Sequence, residues 1–154
     1  MGKAFVIIVD DYIPYIWGQA VFTKVSSRGD VWGMMAEKAW IKLCGTAENA
    51  EGGMTTEVMD FIFACPTNVF WVNGDLEGDG DRCADLLEEY FNLGYFLAGG
   101  IGAANGRNMQ SLVTGHAYSY HGVCRINYNG NANYPLIRLR NPHGHDTWDG
   151  NWND

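Results

Sequence analysis

The sequence is short of positive charge: ten lysines and arginines stand against eighteen aspartates and glutamates, a formal net charge of −8. No basic stripe is left to neutralise phosphates, which argues against nucleic acid or an anionic membrane surface as the main partner and leaves proteins, peptides and cations. Long apolar runs are also missing. Residues 4–9, Ala-Phe-Val-Ile-Ile-Val, stop at Asp10 and Asp11. That run is too short for a transmembrane helix, it lacks the layout of a secretory signal, and the first residues lack the Ser or Thr that N-myristoylation wants. A soluble, cytoplasmic protein is expected. No C-x-x-C pair occurs among Cys44, Cys65, Cys83 and Cys124, so zinc-knuckle and thioredoxin-like motifs are absent. Each cysteine sits among apolar neighbours, and the expectation is buried, reduced thiols. There is no internal repeat and no low-complexity linker.

What is present is apolar and aromatic content, 47% and 14% of 154 residues, enough for one sizeable core in a single globular domain. Residues 4–9 and 20–25 read as two strands around a turn containing Pro14. From 31 to 43 the residues Trp32, Met35, Ala36, Ala39, Trp40 and Leu43 recur at helical spacing, with Asp30 as candidate N-cap and Gly45 past the end. Thr55, Thr56 and Glu57 open a second, short helix over 58–64 that Pro66 terminates. Residues 69–72 read as a strand, 73–81 as a solvated acidic loop, 82–92 as a third helix, and 95–101 as a strand weakened by glycines. The C-terminal third is sheet: 116–126 and 134–140 alternate and are joined through Asn129-Gly130, a tight-hairpin signal. Helices and antiparallel strands together give an α+β class.

A turn at Asn129-Gly130 makes paired positions sum to about 259. His116 then stands opposite His143 and Tyr118 opposite Asn141, all on one face, with His116 and Asn141 as diagonal neighbours whose Cβ atoms lie ~7 Å apart. An asparagine oxygen in that place can accept a hydrogen bond from an imidazole N–H. Cysteine peptidases use such a contact, because the imidazole must take the thiol proton while a third residue fixes its ring and tautomer. No cysteine here stands near either residue in sequence, or at a helix start after a Gln-Gly stretch.

These segments carry a family resemblance. Gly-His-Ala-Tyr-Ser at 115–119 and Leu-Ile-Arg-Leu-Arg-Asn-Pro at 136–142 resemble the calpain segments that bear the catalytic histidine and asparagine. Residues 9–14, the helix 32–42 with its Glu37-Lys38-Ala39, Gly52 and Gly53 followed by 55–60, and Trp-Asp-Gly-Asn-Trp-Asn-Asp at 148–154 follow calpain-like spacing in order. The chain is therefore similar, along nearly its whole length, to the second subdomain of calpain-type, papain-like cysteine peptidases. The resemblance implies the antiparallel, barrel-like half of such a fold with a few short helices. It implies His116 as general base and Asn141 as the residue that orients it, acting on a protein or peptide substrate. It further implies that the nucleophilic cysteine and its oxyanion donors belong to a first subdomain with no counterpart in these residues, and that the second subdomain continues beyond Asp154.

Two positions depart from the family pattern. The residue after Asn-Pro is commonly a tryptophan that shields the histidine–asparagine pair; here it is His143, a second titratable imidazole beside a wetter hydrogen bond. The resemblance also implies a calcium site in the loops after Asn-Pro, of which Asp154 matches one ligand while Thr147 stands at a commonly acidic position. One carboxylate falls short of the 6 to 8 oxygens calcium takes. The histidines His121, His143 and His145 match no standard zinc spacing, the acidic run from Asp75 to Asp81 has Leu86 where an EF-hand needs Glu, and the glycines at 99–102 lack a phosphate loop's Lys-Ser/Thr ending. Two readings follow: the His/Asn half of an intracellular endopeptidase joined to a Cys-bearing half, or a non-catalytic calpain-like module that binds protein, for example in a cytoskeletal assembly.

Overall fold

The computed structural model describes residues 6–102, 110–145 and 148–152. The chain divides into two compact units, Met1–Asn68 and Val69–Asp154. The class is α+β: helices with antiparallel two- and three-stranded sheets, which among the described residues stay open and close no barrel.

In the first unit the strands are not 4–9 and 20–25. They are β1 (Tyr15–Ile16) and β2 (Gln19–Ala20), paired Tyr15 to Ala20 and Ile16 to Gln19. The two residues between them, Trp17 and Gly18, have φ of 50° and 76°, the positive pair of a primed two-residue hairpin turn. Turn chemistry, not the apolar run, decided the pairing. The chain then enters α1 (Trp32–Cys44), one residue later than expected, and Asp30 does not cap it: its carboxylate accepts from the Ser26 hydroxyl at 2.9 Å. Gly45, φ 92°, ends the helix as expected.

The polar side chains of α1 tie down the preceding segment. The ammonium of Lys38 pairs with the Asp10 carboxylate and donates to the carbonyls of Tyr12 (2.7 Å) and Asp10 (3.1 Å). Lys42 donates to the Ile8 carbonyl at 2.6 Å, and Glu37 accepts from the Thr23 amide at 2.8 Å. Side chains of α1 thus satisfy backbone groups of Ile8, Asp10, Tyr12 and Thr23 that lie outside the β1–β2 ladder. The Lys38 contact also holds the Asp10 carboxyl below its ordinary pKa. After a single turn, α2 (Ala47–Ala50), comes α3 (Thr55–Phe63), whose Phe61 ring meets Trp40 of α1 at 5.3 Å. Glu57 accepts from the Met54 amide at 3.0 Å, which places the start of α3 before Val58.

In the second unit, 69–72 is not a strand. The Trp71 carbonyl accepts from the amides of Gly74 (3.0 Å) and Asp75 (2.7 Å), and the Asp75 carboxylate accepts from the Trp71 amide at 2.6 Å. The acidic segment is therefore wound into turns and not merely solvated; it buries Leu76, and its Asp79 caps α4 (Gly80–Asn92) by accepting from the Arg82 amide at 3.0 Å. On α4, Cys83 and Ala84 are buried, and Phe91 meets Tyr120 edge-on at 5.3 Å. Arg125 joins this helix to the sheet through Asp85 (2.6 Å) and Glu88 (2.9 Å).

The sheet runs in the order β3 (Ala98–Ile101), β4 (His116–Tyr128), β5 (Asn131–Arg140), all antiparallel. Asn129 and Gly130 turn the hairpin with φ of 49° and 82°. Pro135 is accommodated because β5 lies at the sheet edge. Next to the turn Tyr128 pairs with Asn131, and at the far end Ser119 pairs with Arg140; both sum to 259. Between them the sum is 260, as in Val123 with Ile137, because β4 gains an extra residue between Tyr120 and Gly122 and β5 gains one opposite the step from Ile126 to Tyr128. The two bulges cancel, and the register read from the turn holds at the end that bears His116.

Among the described residues no helix is long and apolar enough to cross a membrane. All four cysteines are free, but the expectation of burial holds only for Cys83; Cys44 is half-buried, and Cys65 and Cys124 are exposed. Burial pushes the Cys83 thiol above its ordinary pKa. Titration with an aromatic disulfide reagent at pH 8 should therefore modify Cys65 and Cys124 rapidly in the native protein and Cys83 only on unfolding; rapid native reaction of Cys83 would contradict this packing.

Candidate active site

His116 is the first residue of β4, and its position is set from both neighbours. On the β3 side it pairs with Ile101, and the amide of Gly115, φ 63°, donates to the Ile101 carbonyl at 2.7 Å. Gly100 lies against it so closely that a Cβ there would come within 3.3 Å of the His116 carbonyl oxygen, which accounts for one of the glycines that weaken the strand signal. Two residues on, Tyr118 is 3% exposed. Its hydroxyl accepts from the Val113 amide at 2.8 Å and donates to the Val113 carbonyl at 3.2 Å, pinning the chain that enters the site. The Tyr118 ring stands edge-on to the His116 ring at 5.0 Å.

Asn141, immediately after β5, is the one buried polar residue among those described, at 8% exposure. Its Oδ1 lies 2.8 Å from His116 Nε2, the contact expected from the register. Two backbone groups determine which way the amide points. The His143 N–H donates to Oδ1 at 3.0 Å, and Nδ2 donates to the His145 carbonyl at 2.6 Å. A backbone N–H can only donate and a carbonyl can only accept, so Oδ1 and Nδ2 are not interchangeable. Facing Oδ1, His116 Nε2 must carry the hydrogen; in the neutral ring Nδ1 is then the unprotonated, basic nitrogen. The arrangement is an imidazole with a fixed tautomer and a proton acceptor at Nδ1.

The loop that clamps Asn141 turns through Gly144, φ 77°, whose amide donates to the Asn141 carbonyl at 3.1 Å. It carries the His143 ring to 4.2 Å from the His116 ring, tilted by 38°, with the His145 ring 5.7 Å beyond. Sequence reasoning found His116, Asn141 and His143. It missed the Val113 anchor and the His145 carbonyl, which act through backbone groups; Gly144 between two histidines is the one signal of a tight return.

The side-chain hydrogen bond of His116 goes to Asn141 and not to a thiol of this unit. Cys124 lies eight residues along β4, ~26 Å away at strand rise. Cys83 does sit in the first turns of α4, yet burial raises its pKa where an activated thiol needs it lowered. Thr147 and Asp154 lie outside the described residues. Among those described no three of His, Cys, Asp and Glu gather into a metal site.

Replacing Tyr118 by phenylalanine should leave both polar groups of Val113 without their partner. A loss of about 1–3 kcal/mol in stability by denaturant unfolding is expected, with the Val113 amide resonance shifted in solution NMR. Unchanged stability and an unmoved Val113 amide would remove the hydroxyl from the account of how His116 is held.

Comparison with known proteins returns the same identity throughout. Residues 1–154 match the model of the calpain family cysteine protease. The chain is 32% identical to Calpain-8 of Rattus norvegicus, with 99% of this chain and 22% of that protein aligned. It is 30% identical to Calpain-9 of Homo sapiens over 96% of this chain and 21% of that protein. Against the Calpain-2 catalytic subunit of Gallus gallus the identity is 32%, over 99% and 22%. The chain thus spans about a fifth of the length of these relatives. With the whole chain matched and the relatives concordant, this protein belongs to the calpain family of cysteine proteases.

Proposed function

We propose that this chain supplies the histidine- and asparagine-bearing half of a calpain-type cysteine endopeptidase domain, with His116 as general base and Asn141 as the residue that orients it. The observation that carries this reading is the backbone clamp on Asn141, which reserves Nε2 for the asparagine and leaves Nδ1 for chemistry. The nucleophilic cysteine and the oxyanion donors come from a Cys-bearing half. Facing Nδ1, the thiol gives up its proton and a thiolate–imidazolium pair forms. The thiolate attacks the peptide carbonyl carbon, Nδ1 returns the proton to the departing amine, and the same nitrogen then takes a proton from the water that opens the thioester. Asn141 carries no charge, so it fixes the ring in place without neutralising the imidazolium. Substrates are proteins or peptides, and the setting is the cytoplasm.

A second reading, a non-catalytic calpain-like module that binds a protein partner such as a cytoskeletal one, draws on the hydrogen bond of His116 going to Asn141 and not to a thiol, and on the buried Cys83 thiol, whose pKa is raised and not lowered. One experiment separates the two. Assembled with its Cys-bearing half, the protein should hydrolyse a fluorogenic peptide. His116→Ala should lower kcat/KM by about 10²–10⁴-fold, the usual worth of a positioned base, and Asn141→Ala should cause a smaller loss carried mainly in kcat. An assembled, folded complex without turnover sinks the peptidase reading in favour of the binding module, as does full turnover by His116→Ala.

A further inference from the structure

The chain that enters the active site is held once more, ahead of its anchors at Val113 and Gly115. The Ser111 hydroxyl donates to the Asp149 carboxylate at 2.7 Å, and the Asp149 amide donates to the Gln110 carbonyl at 3.2 Å. We infer that Asp149 is a positioning residue: through Ser111 and Gln110 it fixes the path of residues 110–115 and, by way of Tyr118, the placing of the His116 ring during turnover. This rests on the peptidase reading above.

Gln110 and Ser111 need such a hold. Their consecutive φ values of 47° and 65° put two residues that are not glycine in the left-handed region. Residues with a Cβ occupy that region sparingly, and a neighbouring pair persists only where surrounding contacts outweigh the strain. The segment 148–152 supplies contacts of that kind. Besides the two bonds of Asp149, Gly150 lies so close to Gln110 that a Cβ there would collide with the Gln110 amide oxygen and with the Trp148 ring. The segment is itself braced: the Trp148 indole N–H donates to the Asn151 carbonyl at 2.6 Å, and the Trp152 ring meets Tyr128, the last residue of β4, edge-on at 5.2 Å. Asp149 therefore stands on a turn tied to the sheet.

From Ser111 the route to the base is short. Val113, two residues on, has both its backbone polar groups bonded to the Tyr118 hydroxyl, and the Tyr118 ring stands edge-on to the His116 ring at 5.0 Å. Released from Asp149, residues 110 and 111 relax toward ordinary backbone angles and swing the residues that follow. Val113 then pulls on the Tyr118 hydroxyl, and the shifted ring takes His116 out of line. A misplacement of ~1 Å at a reacting group can cost about 10²-fold in rate. Ser111 and Asp149 are both exposed, so substituting them opens no cavity in the core.

Three variants test this in the protein assembled with its Cys-bearing half. Asp149→Ala removes the acceptor, Ser111→Ala removes the donor, and Asp149→Asn keeps an oxygen that accepts from the Ser111 hydroxyl. On a fluorogenic peptide the two alanine variants should each lower kcat by about 3- to 30-fold with KM little changed, and Asp149→Asn should stay within about twofold of the native kcat. The two alanine changes combined should lose no more than either alone, since they break one bond. The route through Tyr118 is read by NMR of the same assembled protein and needs no turnover. Asp149→Ala should shift the Val113 amide and the His116 ring resonances; in a Tyr118→Phe background it should shift the Val113 amide alone. A native kcat in both alanine variants overturns the inference, as does an equal loss in Asp149→Asn or a loss confined to KM. A His116 ring unmoved by Asp149→Ala overturns it whatever the activity. Failure of the parent reading shows separately, as turnover that survives His116→Ala.

Discussion

Everything at the site depends on the pairing of β4 with β5. His116 and Asn141 lie at the open end of that ladder, far from the turn, so their meeting is a consequence of register and of nothing local to either residue. A slip of one residue along a strand moves its side chains to the opposite face. The hydrogen bond from Nε2 to Oδ1 exists only while the count from Asn129-Gly130 to the strand ends is kept. The turn with its two positive φ values, the β5 edge that tolerates Pro135, and the Arg125 bridge to α4 each serve that count.

The site itself is economical in side chains. One buried asparagine receives two donors at one end and finds a carbonyl at the other, and from this the protonation pattern of the facing histidine follows without any charged partner. A neutral third residue suits a base that must alternate between imidazole and imidazolium, because it orients both forms without trapping the charged one. The ring that stands over His116 is His143, with the two centroids 4.2 Å apart.

Much of this was legible in the sequence because the signals were local. An Asn-Gly step and two alternating segments give a hairpin and its register, α1 follows from apolar spacing with Gly45 past its end, and α4 from the acidic segment that opens it. The misses have physical causes. The apolar run at 6–9 resembles a strand, but Lys38 and Lys42 satisfy the nearby backbone through side chains, which no periodicity reveals. At 69–72 the aromatic content suggests a strand, while Asp75 folds back on Trp71 and imposes a turn. Cys65 and Cys124 have apolar neighbours in sequence and are nonetheless exposed, since burial is a property of the fold and not of adjacent residues. The clamp on Asn141 stayed hidden because two of its three parts are main-chain atoms of a loop.

The paired bulges make the hairpin behave like a combination lock with two tumblers. Each extra residue, one in β4 at His121 and one in β5 opposite the step from Ile126 to Tyr128, is harmless only because the other is there. Sequence drift can therefore remove both together, or neither, but the loss of one alone turns the histidine and the asparagine to opposite sides of the sheet. For descent within a family, this couples two positions that never touch: the permitted lengths of the strands are correlated, and an alignment that places a single gap in either one misassigns every residue between it and the site.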